Sequence, residues 1–146
     1  KQITVSRENY LNGLLPIFNQ YVESLMGLSV SLHYLRGWNT ELSFTQTLDS
    51  SYEKDLFRGF TSFGPHRADL EISFNQTLVQ NSFSRGQQKL LVCAMRLAQI
   101  THLKQTTGQQ SILLVDDLAA ELDIEHRQNL IALLIDTQAQ LFCHSD

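Results

Sequence analysis

Apolar positions along the 146-residue chain fall into blocks whose spacing changes from one block to the next. Within residues 7–26, Leu11, Leu14, Phe18, Val22 and Leu25 recur at the intervals of one helical face. Gly13 and Pro16 inside that block predict a kink or a late start, and Gly27 predicts a stop. In "LSVSLHYL", Leu28, Val30, Leu32 and Tyr34 alternate with smaller or polar residues, which predicts a half-buried strand. Phe44, Leu48, Tyr52 and Leu56 trace a second helical stripe, with Asp55 as its polar entry. "FGPH" at 63–66 is a turn, "LEISF" at 70–74 alternates as a strand, and "TLVQ" is expected to return as its hairpin mate. The strongest helix covers 84–104, with Leu90, Leu91, Ala94, Leu97, Ala98 and Thr101 on one face. A strand at 111–115, a helix at 124–135 and a strand at 140–143 complete a β-α-β order, which predicts two parallel neighbouring strands.

The strand run "ILLV" does not alternate, so both of its faces are expected to be covered. It runs straight into Asp116 and Asp117, at the carboxyl end where such sheets bind ligands. Neighbours in extended chain point to opposite sides, so the two carboxylates are not a shared-proton dyad. One can hold a cation while the other faces a water or a second ligand, as where Mg²⁺ is held beside a triphosphate. A strand ending in a polar turn, with Asp capping the next segment, explains the same residues equally well.

A second stretch, "SFSRGQQKLLVCAMRLAQ", opens the strongest helix. Ser84 and Gln87 have capping-box spacing, and Gly86 leaves bare backbone in the first turn. Free N–H groups at a helix start, beside a serine hydroxyl, suit a phosphate. Arg85 and Lys89 add positive charge nearby.

Composition narrows the class. With 42% apolar and 18% charged residues the chain is globular rather than disordered. A formal charge of −4 argues against coating nucleic acid by bulk charge and leaves room for a local basic face. Cys93 and Cys143 have neither CxxC nor metal spacing and read as small core hydrophobes of a reducing, cytosolic compartment. The longest apolar run, "LIALLI", is too short to span a bilayer. With no initiator Met and an end just past a strand-like run, the chain is expected to be a piece of a longer protein.

Together, "FSRGQQ", "ILLVDD" and "AELD" at 120–123 resemble the signature motif, Walker B strand and D-loop of ABC-type ATPases. "FGPHRADL" followed closely by "SRGQQKLLVCAMRLAQ", with "YLRGW" upstream, resembles one branch, the RecF family of bacterial recombination-repair proteins, relatives of SMC-type ATPases. The resemblance covers nearly the whole chain. It implies an α/β class: a partial ABC-type ATPase fold with a parallel β-α-β Walker B region and a helical/β arm on the N-terminal side. Residues 1–60 would form the arm, with one strand, in the lobe inserted in the ATPase. Residues 61–146 would carry signature, Walker B and D-loop.

The resemblance also assigns roles. Ser84, Arg85, Gly86 and Gln87 occupy signature positions, which contact the γ-phosphate of ATP held by the opposite subunit. Asp116 matches the Walker B carboxylate that holds Mg²⁺. Asp117 stands where many ABC proteins have a catalytic Glu that orients or deprotonates the attacking water, and is one methylene shorter. Asp123 matches the D-loop aspartate that communicates across the dimer, and His144 the switch histidine. His66 and Arg67 are expected near the nucleotide or dimer face. Arg85 and Ala120 depart from the transporter-type glycine and the usual D-loop serine. No G-x-x-x-x-G-K-[ST] phosphate loop occurs: "GFTSFG" at 59–64 continues as Pro65–His66. In the family that loop lies nearer the N-terminus, so this chain alone is expected to be inactive.

The implied whole protein is a weak ATPase of DNA replication, damage repair and the SOS response. It forms an ATP-dependent dimer with itself and acts on DNA with single-strand gaps or junctions. RecR- and RecO-type proteins are its partners in the bacterial cytoplasm, with no membrane. The alternatives are a lobe of another SMC-like or ABC-type ATPase, or a non-catalytic interaction module.

Overall fold

The computed structural model describes residues 2–116 and 122–144, with backbone alone at Val115, Asp116, Leu141, Cys143 and His144. Helix α1 (Gln2–Met26) starts earlier than its apolar block and runs through Pro16. Proline removes one N–H, but buried residues on both sides of it, Leu14 and Phe18, Val22, Leu25, hold the helix against its neighbour. That neighbour is α4 (Arg85–Thr107), which contributes Leu90, Leu91, Ala94, Leu97 and Ala98 to the same core. Fully burying one such Leu or Phe is worth about 1.5–3 kcal/mol. Gly13 is a contact point, not a hinge: a Cβ there would meet Cε1 of His102 at 2.5 Å. Its bare backbone lets α1 approach α4, where Tyr10 meets the His102 ring edge-on at 5.2 Å and Tyr21 shares a 2.8 Å hydrogen bond with Thr101. Gly27, at φ +65°, ends α1 as expected.

A small antiparallel sheet lies beside this pair. Strand β1 (Ser31–Leu35) pairs with β2 (Asp69–Phe74), from Ser31 opposite Ser73 to Leu35 opposite Asp69. Asn75 and Gln76 both take positive φ, the backbone of a tight hairpin turn. The returning strand β3 is only Thr77–Leu78, because the chain turns at once into the short helix α3 (Val79–Ser82).

Helix α2 (Phe44–Arg58) forms where expected but buries a different face. Thr47 and Ser51 are its buried residues, while Tyr52 and Leu56 are 64% and 69% exposed. Local signals define it instead: a Ser43–Gln46 capping box at the start and left-handed Gly59 at the end.

The second sheet is the parallel pair β4 (Ile112–Asp116) and β5 (Gln140–His144), connected through α5 (Ile124–Asp136). Leu113 packs against the common core, joined there by Leu130 and Leu134 of α5. The other face was expected to be covered too, yet Ile112, Leu114 and Phe142 are 65%, 76% and 51% exposed. Among the described residues this pair is covered on one side.

Candidate functional site

The start of α4 is built by a reciprocal cap. Ser84 has extended backbone, its Oγ accepts the Gln87 N–H at 3.3 Å, and Gln87 Oε1 accepts the Ser84 N–H at 2.9 Å. Only the acceptor side of the Ser84 hydroxyl is used in this bond, so its O–H can still donate to a ligand. The first N–H groups of a helix have no partner within the helix, and the dipole there favours an anion.

The start of α5 is closed by its own carboxylate. Asp123 accepts the His126 N–H at 2.9 Å through Oδ1, and its Oδ2 lies 2.6 Å from His126 Nδ1. The His126 backbone N–H first, and its ring second, hold the Asp123 carboxyl below its ordinary value.

These two helix starts open on one cleft of about 400 Å³, lined by Ser84, Gly86, Gln87, Asp123 and His126 over an apolar floor that includes Leu90 and Leu122. Signature and D-loop positions, far apart in sequence, thus share a surface. Its α4 side offers donors and positive dipole; the α5 side is already neutralised by Asp123. None of the sequence motifs includes His126. Its signal is the D-x-x-H spacing, which puts a histidine on the third helical residue, within reach of the capping carboxylate. Arg85 starts α4 on an exposed position and is not among the residues lining the cleft.

Asp116 ends β4 opposite His144 of β5, so the two expected nucleotide residues occupy paired backbone positions at the carboxyl end of the parallel sheet. Asp117 lies outside the described residues. His66 and Arg67 sit in a 3-10 turn (Pro65–Arg67) away from the cleft lining. His66 Nε2 is 3.1 Å from the Thr61 carbonyl, and the Arg67 guanidinium stacks over Phe60 at 5.8 Å. At Gly37 the segments "YLRGW" and "FGPH" come into backbone contact. The Gly64 N–H donates to the Gly37 carbonyl at 2.9 Å, and a Cβ on Gly37 would collide with the Gly64 carbonyl. Arg7 reaches across from α1 to the Pro65 carbonyl at 2.8 Å. Among the described residues no three His, Cys, Asp or Glu side chains group to hold a metal, and no helix is long and apolar enough to cross a membrane.

No protein-family model matches the chain. Among curated proteins, it is 44% identical over 143 residues to the DNA replication and repair protein RecF of Shewanella sp. strain MR-4 and, equally, to that of Shewanella oneidensis. The RecF of Shewanella denitrificans is 43% identical over the same length. Each match takes in 97% of this chain and 40% of the relative, so the chain spans about two fifths of the relatives' length. Two solved structures of the recombination mediator protein RecF share its fold, RecF-ATP with a TM-score of 0.80 and RecF-ATPrS with 0.78. Both are 24% identical and are covered over 41% of their length by 99% of this chain.

Proposed function

This chain belongs to the RecF family, and from that premise we propose that it supplies the signature half of an ATP site completed by a second subunit. The cleft joining Ser84, Gly86 and Gln87 to Asp123 carries the reading. Ser84, with the first N–H groups of α4, would hold the γ-phosphate of the partner's ATP. Asp116, at the carboxyl end of β4, would hold Mg²⁺, which when bound neutralises charge on the phosphates. Asp117 would orient or deprotonate the attacking water, and His144 would sense the phosphate from the neighbouring strand position. Asp123 would couple the two sites across the dimer. His66 and Arg67 would lie toward the dimer face. The whole protein would be a weak, cytoplasmic ATPase that dimerises on ATP and binds gapped or junction DNA with RecR- and RecO-type partners in replication, repair and the SOS response.

Asp117→Asn in the full-length protein tests the chemistry. Asn keeps the size and a hydrogen-bond acceptor but takes no proton. Hydrolysis should fall about 100- to 10,000-fold, while ATP-bound dimers accumulate. Parent-rate hydrolysis would remove Asp117 from the mechanism.

A further inference from the structure

The cleft holds one polar group that neither the motifs nor the family roles account for, the His126 ring. Its geometry is set from one side. Nδ1 lies 2.6 Å from Asp123 Oδ2, and a carboxylate only accepts, so Nδ1 carries a proton and donates it. The ring is half-exposed, with side-chain exposure of 37%, on the wall that faces Ser84, Gly86 and Gln87. Nε2 is the polar atom left over, and no hydrogen bond to it occurs among the described residues.

We propose that His126 is a further nucleotide-contacting residue of the trans half-site: held by Asp123, it donates Nε2–H to a phosphate oxygen of the partner's ATP. This rests on the reading of the cleft given above and adds a residue to it. The physical case is one of complementary charge. With Asp123 on Nδ1 and a phosphate on Nε2, both neighbours of the ring are anionic, so each ring nitrogen faces an acceptor it can donate to. The arrangement also gives Asp123 a task beyond capping. Its Oδ1 caps α5 through the backbone N–H, while its Oδ2 aims the ring. The ring can therefore be removed without removing the cap, which makes the idea separable from helix stability.

The test uses the full-length protein with three variants: His126→Leu, His126→Arg and Ser84→Asp. Analytical ultracentrifugation over a range of ATP gives the dimer constant, and a titration with a fluorescent ATP analogue gives nucleotide binding by one protomer. A charge-assisted hydrogen bond is worth about tenfold or more per site, so a symmetric dimer with two such sites should weaken about 100-fold in His126→Leu. The loss should appear in the dimer constant rather than in protomer binding. His126→Arg keeps a cationic donor and should recover most of it, which a packing role for the imidazole would not allow. Leu dimerising like the parent, or Arg failing to recover, overturns the proposal. Ser84→Asp separates the two levels: if it too dimerises like the parent, the cleft is not the partner's nucleotide site at all; if it blocks dimerisation while Leu does not, only the role of His126 falls.

Discussion

Ser84 has a structural task and a proposed functional one, and a pair of substitutions pulls them apart. As the cap of α4 it accepts the Gln87 N–H at 3.3 Å in a box closed by the 2.9 Å return bond. Losing such a cap to alanine costs about 1 kcal/mol, which lowers Tm by about 2–4 °C where the cooperative unit is about 150–250 residues and by less in a longer one. Aspartate caps a helix as well as serine does and adds a favourable charge at the helix start, worth about 0.3–1 kcal/mol. Ser84→Asp should therefore be as stable as the parent or more so, and Ser84→Ala less stable. For ATP-driven dimerisation the order reverses. A carboxylate about 4 Å from a phosphate oxygen repels it by about 4 kcal/mol at an effective dielectric of ~20. Ser84 is exposed in this chain, so salt and water screen part of that. A remaining 1.4–2.8 kcal/mol still weakens each site about 10- to 100-fold. Thermal melts beside sedimentation with ATP read both orders in the full-length protein. Ser84→Asp dimerising as readily as Ser84→Ala would show that no anion approaches Ser84.

Gly37→Ala should lower stability measurably in a urea melt, because φ at Gly37 is +91° and the added Cβ meets the Gly64 carbonyl; a melt unchanged from the parent would contradict the backbone contact. Asp55 is held below its ordinary carboxyl value of 3.8, mainly by the Ser62 hydroxyl, and Asp123 likewise by His126. Their folded values lie below the unfolded ones, so their contribution is full above about pH 4 and is lost as pH falls through the folded values. An acid titration of Asp55→Asn should show a shallower loss of stability in that window, and a parallel titration curve would refute the assignment. The chain on its own should release no phosphate from ATP with Mg²⁺, since its sequence has no G-x-x-x-x-G-K-[ST]. Turnover abolished by Asp116→Ala would show a complete site within it.

Much of this was legible in the apolar pattern, and the exceptions have local causes. The β-α-β order gave the parallel pair because a crossover helix between two strands leaves few other arrangements. Helix α2 was legible as a helix but not in its orientation. Its caps fix where it starts and stops, and Thr47 and Ser51 rather than the apolar stripe are its buried residues, so the stripe says nothing about which side is buried. The "ILLV" run signals cover on both faces, and the cover for Ile112 and Leu114 is not found among the described residues. Gly13 looked like a breaker, yet it marks a close approach, as Gly37 does, and close approach depends on a partner distant in sequence. Motif spacing singled out Ser84, Gly86, Gln87 and Asp123, and all four line one cleft. It could not locate His126, whose place follows from the helix it stands on and the carboxylate that turns it.

The trans arrangement is tested by mixing two defective full-length proteins. Ser84→Asp damages the signature face and leaves that protomer's own nucleotide site intact; Asp116→Asn weakens its own Mg²⁺–ATP site and leaves its signature face intact. A mixed dimer then contains one composite site with neither defect, the ATP of the Ser84→Asp protomer against the signature of the Asp116→Asn protomer. ATP-dependent association and phosphate release should be poor in each protein alone and reappear in the equal mixture. If signature and nucleotide instead met within one subunit, no protomer in the mixture would have an intact site. The mixture would then stay as inactive as its parts.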